Sequence, residues 1–217
     1  HSLMLEHGIV SMAPSGSGWQ VNAHSLRLRT DDTPWPLLDA AFKFNEENWQ
    51  LNVSELNVAT LTPFVHLMPE SDKLNQWLDT VQLGGRVEDI RVSIGEDLSS
   101  MRFSANLEDG AMQQWELLPE LHHLSAQLSG SLDQINARVS LIDDELPYGD
   151  VFQAPLKIRQ AQVDITWKDL GDWGWSLWAD KVTAATPDLQ VLGAFQLDFP
   201  KGKSPFLSFY AEAEAVH

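Results

Sequence analysis

Cysteine is absent from the 217 residues, so the fold holds no disulfide and no thiolate metal site. Basic residues are scarce. Lys and Arg number 14 against 31 Asp and Glu, a formal net charge of −17. That balance argues against a nucleic-acid partner, whose phosphates call for Lys and Arg. It argues equally against simple docking on an anionic membrane surface. Long apolar runs are missing too: a spanning helix needs about 20 such residues, and no stretch approaches that length. No signal peptide is visible and the first residue is His1 rather than Met, which together suggest a piece of a longer protein.

What is present is apolar alternation. Hydrophobic residues make up 43% of the chain, enough for a sizeable core. Leu3, Leu5 and Ile9 open it. Met101, Phe103, Ala105 and Leu107 alternate, as do Ile135, Ala137, Val139 and Leu141. Ala161 to Trp167, Leu189 to Phe199 and Leu207 to Ala215 continue the same period of two, the signature of strands. Turn-forming stretches separate the runs: "APSGSG" (13–18), "NEEN" (45–48), "GED" (95–97), "DDELPYGD" (143–150), "KDLGD" (168–172) and "PKGKSP" (200–205). Short links between consecutive strands predict an antiparallel meander. One segment breaks the pattern. Residues 62–81 place Leu74, Trp77, Leu78 and Val81 at helical spacing, with Ser71 or Asp72 as cap and two glycines, 84–85, as stop. The expected fold is mainly β: a long, curved antiparallel sheet of repeated β-groove units with one helical insertion near 62–81. Residues 1–217 are expected to form a single elongated segment, β over 1–61, helical over 62–82 and β over 83–217.

One line is written three times: "GWQVNAHSLRLRT" (18–30), "NWQLNVSELNVAT" (48–60) and "GWSLWADKVTAAT" (174–186). Each copy has Trp, then two apolar residues in phase, then an odd-numbered step before the next apolar pair, then a closing Thr. A regular strand would send the later pair to the opposite face. Either a β-bulge restores the face or the strand crosses between two environments. A second echo aligns "LGGRVEDIRVSI" (83–94) with "LSGSLDQINARV" (128–139). Recurring strand types predict a repeat architecture.

Catalytic chemistry finds little support. His122 and His123 are adjacent, so in a strand they face opposite ways and share no metal easily. Asp143, Asp144, Glu145 and Asp150 lack the spacing of a calcium loop. "SGSG" is not a nucleophile elbow. No catalytic residue, metal ligand or cofactor is therefore expected. Trp167, Trp173, Trp175 and Trp178 crowd one hairpin, which keeps a sugar-binding aromatic platform in view, although rings at a sheet margin more often close a hydrophobic edge.

The stretch from "LSGSLDQINARV" to "FLSFYAEAEAV" (128–216), with the helical piece and "GGRVEDIRV" before it, resembles the YhdP branch of the AsmA-like envelope proteins. That resemblance implies a long Gram-negative protein with an inner-membrane anchor outside this chain. It also implies a periplasmic β-rich body whose hydrophobic groove carries phospholipid towards the outer membrane. The expected partners are then phospholipid acyl chains and the remaining segments of the parent protein. The repeated line nominates the groove lining: Trp19, Val21 and Ala23; Trp49, Leu51 and Val53; Trp175, Leu177 and Ala179. The alternatives are a carbohydrate-binding β-module and a structural envelope spacer.

Overall fold

The computed structural model describes residues 2–31, 33–60, 82–114, 119–147 and 154–215. The chain divides into two compact units, 1–108 and 109–217. Strands dominate both, and every described pairing is antiparallel.

The first unit contains β1 (Leu3–Ser15), β2 (Gly18–Thr30), the two-residue β3 (Thr33–Pro34), β4 (Leu38–Phe44), β5 (Trp49–Asn57) and β6 (Gly84–Ile94). They pair in the order β1-β2-β4-β5-β6, with β3 off β2. β7 (Arg102–Met112) carries the boundary between the units. The second unit contains β8 (Leu121–Gly130), β9 (Gln134–Leu146), β10 (Leu156–Asp169), β11 (Gly174–Ala185), β12 (Leu189–Pro200) and β13 (Phe206–Ala215), each paired with its sequence neighbour. Three helical residues, 58–60, follow β5 directly. The predicted insertion at 62–81 lies outside the described residues.

The strands are long, and the longest, β10, contains neither Gly nor Pro. β10 has 14 residues and β11 has 12, against a usual length of about 5–6. A glycine precedes Trp in two copies of the repeated line for a steric reason. A Cβ on Gly18 would meet the Phe44 carbonyl oxygen at 2.0 Å, and one on Gly174 (φ 128°) would meet that of Phe199 at 2.1 Å. The third copy has Asn48, whose N–H donates to Asn45 Oδ1 at 2.7 Å in a side-chain-closed turn.

The odd step in the repeated line is a bulge in two copies. From Ala179 to Val182 β11 takes three steps while β12 takes two, Phe195 to Gly193. From Ala23 to Leu26 β2 takes three while β4 takes two, Ala40 to Leu38. One extra residue keeps the later apolar side chains on the first face and bends the strand. In β2 the extra residue includes Ser25 at φ 52°, whose N–H, freed from the ladder, donates to Asp39 Oδ1 at 2.7 Å. The third copy differs. Val53 pairs with Ile90, Glu55 with Glu88 and Leu56 with Val87, so β5 and β6 slip together and no residue is added on one side. Asp89 takes the left-handed backbone there, φ 51°. Asp109, His123 and Asp143 adopt the same conformation within β7, β8 and β9. Short polar side chains tolerate that region better than branched ones.

Each closing Thr lies at the end of its strand or within three residues beyond it, and is buried: Thr30, Thr60 and Thr186. Thr30 Oγ1 accepts from Trp35 Nε1–H at 2.8 Å, Thr60 Oγ1–H donates to the Asn57 carbonyl at 2.6 Å, and Thr186 Oγ1 accepts from Leu189 N–H at 3.0 Å. The hydroxyl satisfies groups left over where the chain turns away.

Two expectations fail. The second echo is not a repeated strand: 84–94 is the single strand β6, whereas 128–139 ends β8, turns at 131–133 and begins β9. Gly plus alternation does not distinguish a strand from a hairpin. Residues 143–146, expected as loop, belong to β9, because Leu146, Glu145 and Asp144 pair with Leu156, Lys157 and Ile158 of β10. Cross-strand partners override the turn propensity of Asp here.

Candidate functional site

Directly paired residues of an antiparallel ladder share a face, so the pairings assemble the surface row by row. In the first unit one row runs Pro14, Trp19, Phe44, Trp49, Ile94. The next runs Met12, Val21, Phe42, Leu51, Val92, and the third Val10, Ala23, Ala40, Val53, Ile90. Every member is apolar. All six candidates of this unit are therefore brought onto one face. They are joined through β4, which sequence reasoning had not nominated although its Phe42 and Phe44 alternate. Phe42 stacks on Phe44 at 5.2 Å and meets Trp49 edge-on at 5.7 Å.

The second unit repeats the arrangement. Trp175 pairs with Phe199, and their rings stack at 3.9 Å with 13° between planes. Trp167, Leu177, Leu197 and Leu207 form the next row. Ala179, Phe195 and Phe209 follow. Beyond the bulge, Val139, Val163, Val182, Gly193 and Ala211 continue the same face, then Leu141, Ala161, Ala184, Val191 and Ala213. The bulge is what keeps Val182 and Ala184 among them.

The face is graded in depth. Ala23, Ala179 and Leu197 are buried and form a packed floor. Val21, Val53, Trp175 and Leu177 are half-buried, while Trp19, Trp49 and Leu51 are exposed. Phe209 on the edge strand β13 is 76% exposed, which leaves a large ring of this face in water.

The opposite face is polar. Across β9, β10 and β11 it presents Arg138 beside Asp164 and Asn136 beside Thr166, with Gln162 paired to Thr183. Arg138 Nε–H donates to Asp164 Oδ1 at 2.8 Å. That hydrogen bond, with the guanidinium charge behind it, holds the Asp164 carboxyl below the usual carboxylate range. Both side chains are exposed, so the pair adds little stability. A hollow of about 450 Å³ on this face is lined by Gln160, Gln162, Thr183, Gln190, Glu212 and Glu214, among others. In the first unit a hollow of about 490 Å³ includes Asn22, His24, Asp39, Asn52 and Arg91 in its lining.

The other singled-out residues do not converge. His122 Nε2 lies 2.7 Å from Glu120, and His123 Nδ1 lies 3.8 Å from Asp109. The four clustered tryptophans scatter: Trp167 and Trp175 belong to the apolar face, Trp178 pairs with Thr166 and Gln196 on the polar one, and Trp173 sits in a turn. They make no single platform.

Comparison with known proteins follows the same direction. A family described as "YhdP protein" matches residues 1–217. The chain is 26% identical over 226 aligned positions to the intermembrane phospholipid transporter YhdP of Escherichia coli (strain K12). The alignment covers 97% of this chain and 18% of that protein, so the chain spans less than a fifth of its relative. No solved structure matches.

Proposed function

The chain belongs to the YhdP protein family, and from that premise we propose that it is a non-catalytic, lipid-conducting segment of an envelope transporter. The apolar face is the surface that phospholipid acyl chains follow. The observation that carries this reading is the row-by-row apolar composition of one face, with polar side chains on the other. Exposed apolar area costs about 25 cal/mol per Å² in water, and large exposed patches mark binding surfaces. Acyl chains relieve that cost without asking for any hydrogen bond. Among the nine nominated residues, Trp19, Trp49, Leu51 and Leu177 touch lipid, Val21, Val53 and Trp175 flank it, and Ala23 and Ala179 form the floor.

The segment works in the periplasm, with the inner-membrane anchor in another part of the parent. The remaining parts of the parent are its immediate partners. The decisive experiment places a photo-crosslinking amino acid at Leu51, Leu177 or Gln162 in the full-length parent. Lipid adducts at Leu51 and Leu177, and none at Gln162 on the polar face, are expected. Equal labelling of both faces, or none, would sink the proposal. Glycan capture by the purified chain without lipid would favour a carbohydrate module instead.

A further inference from the structure

Three neighbouring turns of the second unit carry large apolar side chains where turns ordinarily carry Gly, Asn, Asp or Ser. They are the β8–β9 turn with Leu132, the β10–β11 turn with Leu170 and Trp173, and the β12–β13 turn that ends at Phe206. Their exposures are 54% for Leu132, 41% for Leu170, 49% for Trp173 and 61% for Phe206. The turns are fastened side by side. Asp169 N–H donates to the Asp133 carbonyl at 2.9 Å, and Lys201 N–H donates to the Trp173 carbonyl at 2.8 Å. The stacked pair Trp175 and Phe199, which ends the apolar face, lies immediately behind them.

Charge sets this tip apart from the rest of the chain. Lys168, Lys201 and Lys203 stand among Asp133, Asp169, Asp172 and Asp198, a local balance of −1 in a chain of net charge −17. The turns that precede the Trp-led strands of the first unit have a different chemistry: "SGS" at 15–17 and "NEEN" at 45–48, without a large apolar residue.

We propose that this tip seats in the interfacial zone of a zwitterionic bilayer. Trp, Leu and Phe enter the headgroup boundary, where amphipathic rings are favoured, and the lysine stems lie along the apolar surface with their ammonium groups outward. The interspersed lysines and aspartates match a headgroup that carries both signs. The continuity of the tip with the Trp175–Phe199 row gives a lipid a path from bilayer to sheet face. The proposal deepens the lipid-conducting reading and rests on it for that path, but the docking itself is tested separately.

The test is flotation of the chain with phosphatidylcholine vesicles. Because the chain has no cysteine, Leu132→Cys supplies a unique thiol for an environment-sensitive fluorophore. The chain is expected to float and the label to shift to the blue. The combined variant Leu170→Ser, Trp173→Ser and Phe206→Ser, checked by circular dichroism, is expected to lose at least tenfold in bound fraction. Adding anionic phosphatidylglycerol at low salt is expected to weaken binding, because the chain as a whole is repelled. The proposal is overturned if the chain does not float, if it floats with the label still in water, if the folded triple variant binds unchanged, or if anionic lipid strengthens binding. Should the triple variant not fold, the label on the Leu132→Cys chain alone decides. Flotation without lipid adducts at Leu177 would leave the tip standing and remove the conduit. Adducts at Leu177 with unchanged flotation of the triple variant would do the reverse.

Discussion

β2 and β11 begin with the same words, Gly-Trp, and carry the same bulge at the same step, yet they sit differently. β11 lies between β10 and β12, of 14 and 12 residues. β2 lies between β1, whose residues are almost all exposed, and β4, which has only 7. The lead ring of β11, Trp175, has a parallel partner in Phe199, whereas Trp19 of β2 is exposed. The floor residue Ala179 is 2% exposed and Ala23 is 9%. The two strands share phase and bulge, and the short β4 beside β2 leaves its floor shallower than that of β11.

The sharpest way to break that comparison is a charge on each floor. Ala179→Asp should destabilise the second unit by about 3–5 kcal/mol, the scale of an uncompensated buried charge. Ala23→Asp should cost about 2 kcal/mol, because Ala23 lies nearer to water. Urea unfolding followed by circular dichroism measures both, and equal losses would mean that depth is not the difference. Truncating the lead rings comes next. Trp175→Ala should cost about 3 kcal/mol, with the lost stack contributing about 1. Trp19→Ala, from an exposed position, should cost about half as much.

A smaller effect changes sign between the two strands. Ser25 occupies the left-handed region in the β2 bulge, whereas Asp180 in the β11 bulge does not. Ser25→Gly should stabilise by about 0.5 kcal/mol, relief of strain outweighing the added freedom of the unfolded chain. Asp180→Gly should destabilise by about 0.5–1 kcal/mol. Thermal melts of the two variants moving in the same direction would refute the assignment. The smallest effect concerns pH. Asp164 has a depressed folded pKa, so its contribution is present above the unfolded value of about 3.9 and fades as pH falls through the lower folded value. Arg138→Gln should weaken the second unit near neutral pH and converge with the parent chain once pH falls below the lowered folded value of Asp164, the first unit remaining unchanged.

Much of this was legible before any coordinates. Alternation gave the phase of β9, β10, β12 and β13, and the odd step flagged the bulges of β2 and β11. The β5 copy shows why pattern alone stops short: an odd step shared by the neighbouring strand looks the same in one sequence as an odd step taken alone. The left-handed Asp89, Asp109, His123 and Asp143 went unnoticed, although each is a short or polar side chain at a break in apolar phase. Sequence spacing put Ala23, Val53 and Ala179 in the groove lining without giving their depth. Ala179 is buried beside Phe195 and Ala23 between Val10 and Ala40, neighbours that spacing along one strand does not reveal. The apolar tip is not legible from pattern, because Gly and Asp mark those stretches as turns whatever apolar residues they also hold.

The bulge of β11 also bears on which length changes the gene tolerates. Removing one codon from a regular strand inverts every later side chain and puts the apolar series into water. β11 holds one residue more than β12 between Ala179 and Val182. Loss of Asp180 would leave Trp175, Leu177, Ala179, Val182 and Ala184 in strict alternation, so the strand would straighten yet keep its face. Loss of Ser176, four positions earlier, would turn Trp175 against the rest. Ser25 in β2 offers the same latitude. Single-residue deletions in this chain should therefore be survivable at the bulges and ruinous one turn of the pleat away.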